Sequence, residues 1–273
     1  MTTSGVAWQT AERTRRATES VSGNGTKLHR CDFFGPDIDF YGMTREQRNG
    51  VFQGLLAKPE APHGFLIQQT PNSEIPAHFH QVPQYQVIVH GGGKLGRHGV
   101  DGIALHYTDE YTAYGPILSD DDGIWYFTLR SYFDPGANYV GKPGTRELLR
   151  PSPKRFLLVP PEDLEASPAP ALAARTAPAL DPVIAAHPDG VAAWILRLGP
   201  GMTLRGPDPS CGGGQYYLVL EGAMQREGGI LPKHSLLWVS ATDPAPEVCA
   251  GPAGLEAAVL QFPTTFPARC FAA

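Results

Sequence analysis

The chain has 273 residues, of which 42% are hydrophobic and 18% are charged, so it can bury a sizeable core. Its formal net charge is −5 and no basic stripe stands out, which argues against nucleic acid as a partner. No apolar run approaches the ~18 residues that a membrane span requires, so no membrane association is expected.

The first 45 residues are predicted to form an N-terminal arm. The opening sequence, MTTSGVAWQTAERTRRATES, lacks the apolar core of a secretory signal. It also contains Glu12 and Glu19, which argues against an organelle transit peptide. The four cysteines show no CxxC pairing and are expected to be free thiols. A cytoplasmic location is therefore predicted.

Short apolar segments recur along the rest of the chain, and each is bounded by Gly, Pro, Asn or Asp. Helical periodicity is hard to find, and the high content of 31 Gly and 27 Pro suits many strands joined by turns. The pattern predicts an all-β fold with few short helices. The segments are 64–70, 84–90, 124–130, 191–198, 215–222, 235–240 and 255–262.

Two stretches of the chain resemble each other. PQYQVIVHGG (83–92) aligns with GQYYLVLEGA (214–223), which places Gln84 on Gln215. Because the turn residues agree as well as the apolar ones, we predict a duplicated β-domain. The glycine run GGGKLG (91–96) lacks the spacing of a phosphate-binding loop and a following Ser or Thr, so a hairpin is predicted there.

The segment 159–183 is rich in Pro and Ala and has little strand character, which predicts a linker with one short helix near 168–175. The predicted organisation is an arm over 1–45, an N-terminal domain over 46–150, a linker over 151–183 and a C-terminal domain over 184–273.

Two histidines in IPAHFHQVPQYQVIVHGGG (75–93) are candidate metal ligands. Successive side chains of a strand point to opposite faces, so His78 and His80 share one face. If the chain turns at QVP and returns as a paired strand, Gln84 can point at the same place. Two imidazoles and a neighbouring polar side chain suit a metal ion with open coordination positions.

The spacing of His78, His80, Gln84 and Gly91 resembles the first motif of the cupin superfamily, in which a His-x-His pair is followed by a Glu and then a Gly. The resemblance covers both halves and implies an all-β bicupin, with two jelly-roll barrels in one chain. It also implies a metal centre on His78, His80 and Gln84 in the N-terminal half.

Three departures from the cupin pattern weaken the ligand set. Gln84 stands where the family has a Glu. No histidine occupies the place of the second motif near Ala113, and the nearest candidate for a further ligand is His106. In the C-terminal half Pro209 and Cys211 replace the two histidines, so this half is expected to be a degenerate domain with a structural or dimerising role, as in a homodimer.

Two neutral imidazoles and a neutral amide leave a divalent ion uncompensated, so the site is expected to favour an anionic small-molecule substrate. Fe(II) is the expected cofactor, although Mn(II), Ni(II), Cu(II) and Zn(II) also accept imidazole. The candidate acid and base groups are Glu110, Tyr111 and Tyr114.

The predicted function is a metal-dependent enzyme of the cupin type, a dioxygenase or an isomerase or lyase that acts on a small oxygenated acid or phenolic compound. The alternative is a non-catalytic or metal-free bicupin. In that case His78, His80, Gln84 and Gln86 hydrogen-bond an organic ligand.

Overall fold

The computed structural model describes residues 6–8, 18–21, 27–33, 62–134, 136–226 and 229–264. Strands dominate these ranges, as the all-β prediction required. The residues divide into two compact units, one built mainly on 62–163 and the other mainly on 164–264. None of the helices in the described ranges has the length and apolar character that crossing a membrane requires.

The strands are numbered in chain order. In the first half they are β1 Val6–Trp8, β2 Thr18–Val21, β3 Lys27–Phe33, β4 His63–Gln69, β5 Glu74–Ile75, β6 His78–Phe79, β7 Gln84–Leu95, β8 His98–Asp101, β9 Ala104–Thr108, β10 Ile117–Arg130, β11 Asn138–Tyr139 and β12 Phe156–Val159. In the second half they are β13 Ala179–Ile184, β14 Ala192–Leu198, β15 Thr203–Arg205, β16 Gln215–Arg226, β17 Gly229–Pro232, β18 Leu236–Val239 and β19 Glu247–Gln261.

Helical structure in the described ranges is limited to short pieces. The α-helices are Pro161–Leu164 and Ala169–Ala173, and 3₁₀ turns lie at Arg146–Leu148 and Pro209–Cys211. The short helix predicted near 168–175 is confirmed. The predicted linker nevertheless contains β12 and β13, which pair with β9 and β14. β13 was not predicted because Pro182 lies within it. The strand can form because β13 is at the edge of its sheet, where a proline is tolerated.

Each unit contains one large sheet. In the N-terminal unit nine described strands follow the order β12-β9-β7-β10-β4-β3-β2, with β5 and β8 attached to β10 and β7. In the C-terminal unit eight follow the order β1-β18-β16-β19-β14-β13, with β15 and β17 attached to β19 and β16. Both orders are open at their ends within the described ranges. Among the described strands, backbone hydrogen bonds therefore do not close either sheet into a barrel.

Three of these strands lie within the first 45 residues, the region predicted as an arm. β1 pairs with β18 of the C-terminal sheet. β3 pairs with β4, and β2 pairs with β3 in the N-terminal sheet. The boundaries of the arm and of the two domains stay predictions.

The predicted duplication is confirmed by the strand positions. When 131 (215 minus 84) is added to the residue numbers, the first and last residues of β7 become those of β16. The same addition turns the first and last residues of β8 into those of β17. The same shift in numbering carries Gly91, with φ of 71°, onto Gly222, with φ of 70°. The two units are thus built on one strand plan.

β7 places the candidate site next to the apolar core of its unit. Ile88 packs in a buried cluster with Phe65, Ile67 and Tyr126, among others. Gln84 and Gln86 share the face of Ile88 because side chains two residues apart point the same way. Both glutamines are buried, so the strand carries polar side chains into the interior at its beginning.

Candidate functional site

The two histidines of the His-x-His pair lie close together and are buried. The exposed fraction is 4% for His78 and 7% for His80. Their ring centroids are 5.1 Å apart, and the rings are perpendicular. His78 is held by a backbone bridge to Tyr114, in which each amide donates to the other carbonyl at 3.0 Å. The inward orientation that the metal hypothesis required is therefore present.

Tyr114 connects His78 to Gln84. Nδ1 of His78 lies 2.7 Å from the carbonyl oxygen of Pro76, which can only accept, so Nδ1 carries the proton. Nε2 of His78 is then an acceptor, and the Tyr114 hydroxyl donates to it at 2.9 Å. The Gln84 amide nitrogen donates in turn to the Tyr114 oxygen at 2.6 Å.

Arg130, the last residue of β10, connects Gln84 to His80. Its Nε and Nη2 donate to Oε1 of Gln84 at 3.1 and 2.9 Å. Nη2 also lies 3.2 Å from Nε2 of His80 and 3.1 Å from Nδ1 of the same ring. Since Nδ1 is engaged elsewhere, the nitrogen that accepts from Arg130 is Nε2.

Asp134 fixes the other side of His80. Nδ1 of His80 donates to Oδ2 of Asp134 at 2.7 Å. The backbone amides of Gln81 and Gly136 donate to the same carboxylate at 3.1 and 2.9 Å. Nη1 of Arg130 lies 3.4 Å from Oδ2. Asp134 is thus a buried anion that orients His80 and balances the charge of Arg130.

The protonation states follow from burial and from these contacts. Burial lowers the pKa of His78 to about 3, helped by repulsion from His80. Burial and the adjacent Arg130 also lower the pKa of His80, and they outweigh the attraction of Asp134. Burial alone would raise the pKa of Asp134, but His80 and Arg130 lower it below its ordinary value. Both imidazoles are therefore neutral and Asp134 is ionised.

The remaining predicted residues are placed differently. Tyr114 is the centre of the network, and burial raises its pKa, so its hydroxyl keeps the proton. Tyr111 has a positive φ of 56°, and its amide donates to the carbonyl of His80. Burial raises the pKa of Glu110. His106 packs against the ring of Tyr114 at 5.2 Å and bonds Gln86.

Sequence reasoning missed Arg130 and Asp134. Both are almost fully buried, with exposed fractions of 3% each. An arginine at the end of an apolar strand is usually expected to be exposed to solvent. Asp134 was missed because it lies 54 residues from His80 in the sequence. One signal was available: the proposed repeat aligns Arg130 with Gln261, so a charged residue and a neutral one occupy equivalent positions.

The donor set does not fit a divalent metal ion as it is arranged. A metal ligand must offer a lone pair. Nε2 of His78 accepts from Tyr114, while Nε2 of His80 and Oε1 of Gln84 accept from Arg130, whose permanent charge would repel a cation. In the described part of the chain, no three His, Cys, Asp or Glu side chains cluster as metal ligands would. Fe(II) and the other ions predicted above have no supporting geometry here.

The equivalent place in the C-terminal unit is filled by neutral side chains. The Gln215 amide nitrogen donates to Oε1 of Gln261 at 2.8 Å, and the Tyr217 hydroxyl donates to Gln215 at 3.1 Å. The Gln261 amide donates to the carbonyl of Gly190 at 2.6 Å. The degenerate domain expected from Pro209 and Cys211 stays a prediction.

Comparison with known proteins reveals similarity at the level of the fold. No protein-family model and no curated protein sequence matches the chain. Salicylate 1,2-dioxygenase from Pseudoaminobacter salicylatoxidans, solved with gentisate, is similar with a TM-score of 0.57 at 16% identity, covering 95% of this chain and 81% of that one.

Two further structures share the architecture. Oxalate decarboxylase from Bacillus subtilis gives a TM-score of 0.57 at 10% identity, over 97% of this chain and 79% of that one. The pirin of Escherichia coli, in complex with nickel(II), gives 0.54 at 8% identity, over 96% and 100%. Together with the duplicated strand plan, these similarities show that the chain has a fold of the bicupin type.

Proposed function

We propose that the N-terminal unit is a metal-independent enzyme site that binds a small carboxylic acid on Arg130 and moves a proton with His80. The observation that carries this proposal is the contact of the Nε–Nη2 edge of Arg130 with Gln84 and His80. This edge of a guanidinium binds carboxylates through two parallel hydrogen bonds. Here both of its nitrogens converge on one neutral amide oxygen.

A substrate carboxylate is a stronger partner for Arg130 than an amide oxygen or a neutral imidazole, because it is itself charged and accepts two parallel hydrogen bonds from the guanidinium. A carboxylate would take over the Nε–Nη2 edge and release Nε2 of His80. Asp134 keeps the proton on Nδ1, so the released Nε2 is the basic nitrogen.

The chemistry that this arrangement supports is proton transfer next to a carboxylate. A proton on the carbon beside the bound carboxylate would pass to Nε2 of His80, as in isomerases and lyases. The Tyr114 hydroxyl keeps its proton and is the candidate acid on the other side. Two of the similar structures are named for reactions of small carboxylic acids, salicylate and oxalate, which supports this substrate class.

Hydrogen exchange with solvent tests the proposal without knowledge of the product. Protein treated with EDTA is incubated in D2O with malonate, malate, mandelate or phenylacetate, and proton NMR follows the C–H signal beside the carboxylate. We expect exchange for at least one acid, at the same rate with and without EDTA. His80→Gln should abolish exchange while binding persists, since Arg130 remains.

Calorimetric titration tests the binding step separately. Arg130→Lys loses the two-pronged contact, so we expect the dissociation constant of the acid to rise about 10- to 100-fold. Arg155→Lys is the matched control, because Arg155 pairs with Asp109 instead. The proposal is wrong if no acid binds, or if exchange requires an added metal ion.

A non-catalytic site is the second candidate, and one observation favours it. The polar side chains of the site already satisfy one another's hydrogen bonds, as the members of a purely structural network would. They are His78, Tyr114, Gln84, Arg130 and His80. This candidate predicts that acids neither bind nor stabilise the protein, while Arg130→Lys lowers the free energy of unfolding.

A further inference from the structure

His106 has one ring nitrogen that the network leaves unused. It lies on β9 opposite Gln86 of β7 and is fully buried, with an exposed fraction of 0%. Nδ1 lies 3.0 Å from Oε1 of Gln86. An amide oxygen only accepts, so Nδ1 carries the proton and Nε2 presents a lone pair.

No hydrogen-bond donor in the described part of the chain reaches this lone pair. Buried acceptors are almost always paired, so a buried one without a protein partner calls for a donor from outside the protein. Burial, with repulsion from His78 and His98, lowers the pKa of His106 to about 3, so the ring stays neutral and accepts. The missing partner therefore has to bring a hydrogen.

His106 belongs to the same site as Arg130. Its ring packs against Tyr114 at 5.2 Å and against Phe156 at 4.4 Å between centroids. The Tyr114 hydroxyl is bonded to Gln84, and Gln84 is bonded to Arg130. A chain of contacts through Gln84 and the ring of Tyr114 thus connects the guanidinium to His106.

We infer that Nε2 of His106 accepts a hydrogen bond from a hydroxyl group of the acid held by Arg130. The inference rests on the proposed function and narrows its substrate class to hydroxylated carboxylic acids. Arg130 recognises the carboxylate at one end, and His106 recognises the hydroxyl at the other. The rings of Tyr114 and Phe156, which pack against His106, favour an unsaturated or aromatic body on the acid. His106 is then a specificity-determining residue for this site.

Matched ligands test the inference. The dissociation constants of benzoate and phenylacetate are measured by calorimetry beside those of their meta- and para-hydroxy and methoxy derivatives. We expect a hydroxy acid to bind about 10- to 100-fold more tightly than its parent acid, because only the hydroxyl satisfies the buried acceptor. The methoxy derivative has no hydrogen to donate and should show no gain.

The variant His106→Phe keeps an aromatic ring and removes the acceptor. It should reduce the preference for the hydroxy acid over the parent acid to about twofold or less. His90→Phe, at an exposed histidine of β7, is the control and should keep the preference. The ligand comparison in the unaltered protein remains decisive if His106→Phe does not fold.

The outcomes separate the two proposals. Equal affinities for parent and hydroxy acids, or a preference that survives in His106→Phe, would show that a water molecule satisfies Nε2 and would overturn the inference while the proposed function stands. Failure of all the acids to bind, or binding that is insensitive to Arg130→Lys, would overturn the proposed function itself.

Discussion

The chemical role of each histidine in the site depends on which of its two ring nitrogens carries the proton. The carbonyl of Pro76 holds the proton of His78 on Nδ1, and Asp134 does the same for His80. Both Nε2 atoms therefore face the site as acceptors. The spacing of the two histidines was readable in the sequence, but this outcome depends on Asp134, which only the fold brings to His80.

The Tyr114 hydroxyl is expected to contribute strongly to stability. Tyr114→Phe leaves a buried donor on Gln84 and a buried acceptor on His78 without their partner, so we expect the free energy of unfolding to fall by about 2–4 kcal/mol. Urea denaturation measures the loss. The comparison variants are Gln84→Leu and the double substitution. Coupling of about 1 kcal/mol would confirm a shared bond, and strict additivity would show that none exists.

The neutral buried histidines are expected to make the protein sensitive to acid. His78 and His106 have a folded pKa of about 3 against an ordinary value of 6.5. Below pH 6.5 the unfolded chain binds protons that the folded chain does not, so stability is lost as the pH falls from 6.5 towards 3. We expect a loss of about 2 kcal/mol per ring between pH 7 and pH 5.

Urea unfolding at a series of pH values measures this dependence. His106→Gln removes one titrating ring and should give a shallower decline between pH 6.5 and pH 5. His90→Gln, at an exposed histidine, should follow the unaltered protein. A decline that is identical in all three proteins would contradict the assignment of His106 as a buried neutral ring.

Among the elements, the pairing of β7 with β10 explains why glycines precede the turn of the predicted hairpin. The hairpin predicted at GGGKLG is present, since β7 continues through the glycines to Leu95 and pairs with β8 across the turn at Gly96 and Arg97. A side chain at Gly91 would lie 2.0 Å from the carbonyl oxygen of Gly123, and one at Gly93 would lie 1.9 Å from that of Leu118. The glycines thus permit a close backbone approach within a strand.

Gly91 and its counterpart Gly222 should be equally intolerant of substitution. An added Cβ at Gly222 would lie 2.1 Å from the carbonyl oxygen of Gly254, the same clash that Gly91 meets at Gly123. Both also have positive φ. We expect Gly91→Ala and Gly222→Ala each to lower the free energy of unfolding by about 3 kcal/mol or more.

Denaturation of the two variants beside Gly99→Ala tests this prediction. Nothing lies within 4 Å of a Cβ at Gly99, so that substitution should change stability by less than about 1 kcal/mol. A mild effect at Gly91 combined with a severe one at Gly222 would show that the two glycine positions are not equivalent.

In the molecule as a whole, the two units have the same arrangement of strands but different buried polar side chains. The sequence was sufficient to predict the fold, because strand periodicity, turn residues and the repeat all agree. It was not sufficient for the site, because charge balance inside a fold depends on distant residues. Arg130 and Gln261 end equivalent strands, yet one is a cation held by Asp134 and the other bonds the neutral Gln215.

Reciprocal exchange of these two residues should destabilise both units. Arg130→Gln removes the cation beside the buried Asp134, and Gln261→Arg places a charge beside the neutral Gln215 and the Gly190 carbonyl. We expect each change to cost about 3–5 kcal/mol in the free energy of unfolding, measured by urea denaturation. Arg205→Gln, at an exposed arginine, should stay within about 0.5 kcal/mol. A neutral Gln261→Arg would show that the C-terminal interior tolerates charge.

The two residues that pair at the site are equally far apart in the sequence of each unit. The segments between them can therefore be exchanged between the units. Gln84 and Arg130 are 46 residues apart, and so are Gln215 and Gln261. Length differences between the halves therefore fall outside this block, as in the loop after β4. A protein engineer could graft 84–130 over 215–261 as one cassette without adding or deleting a residue, and such a chimaera would carry the buried arginine into a second copy of the same frame.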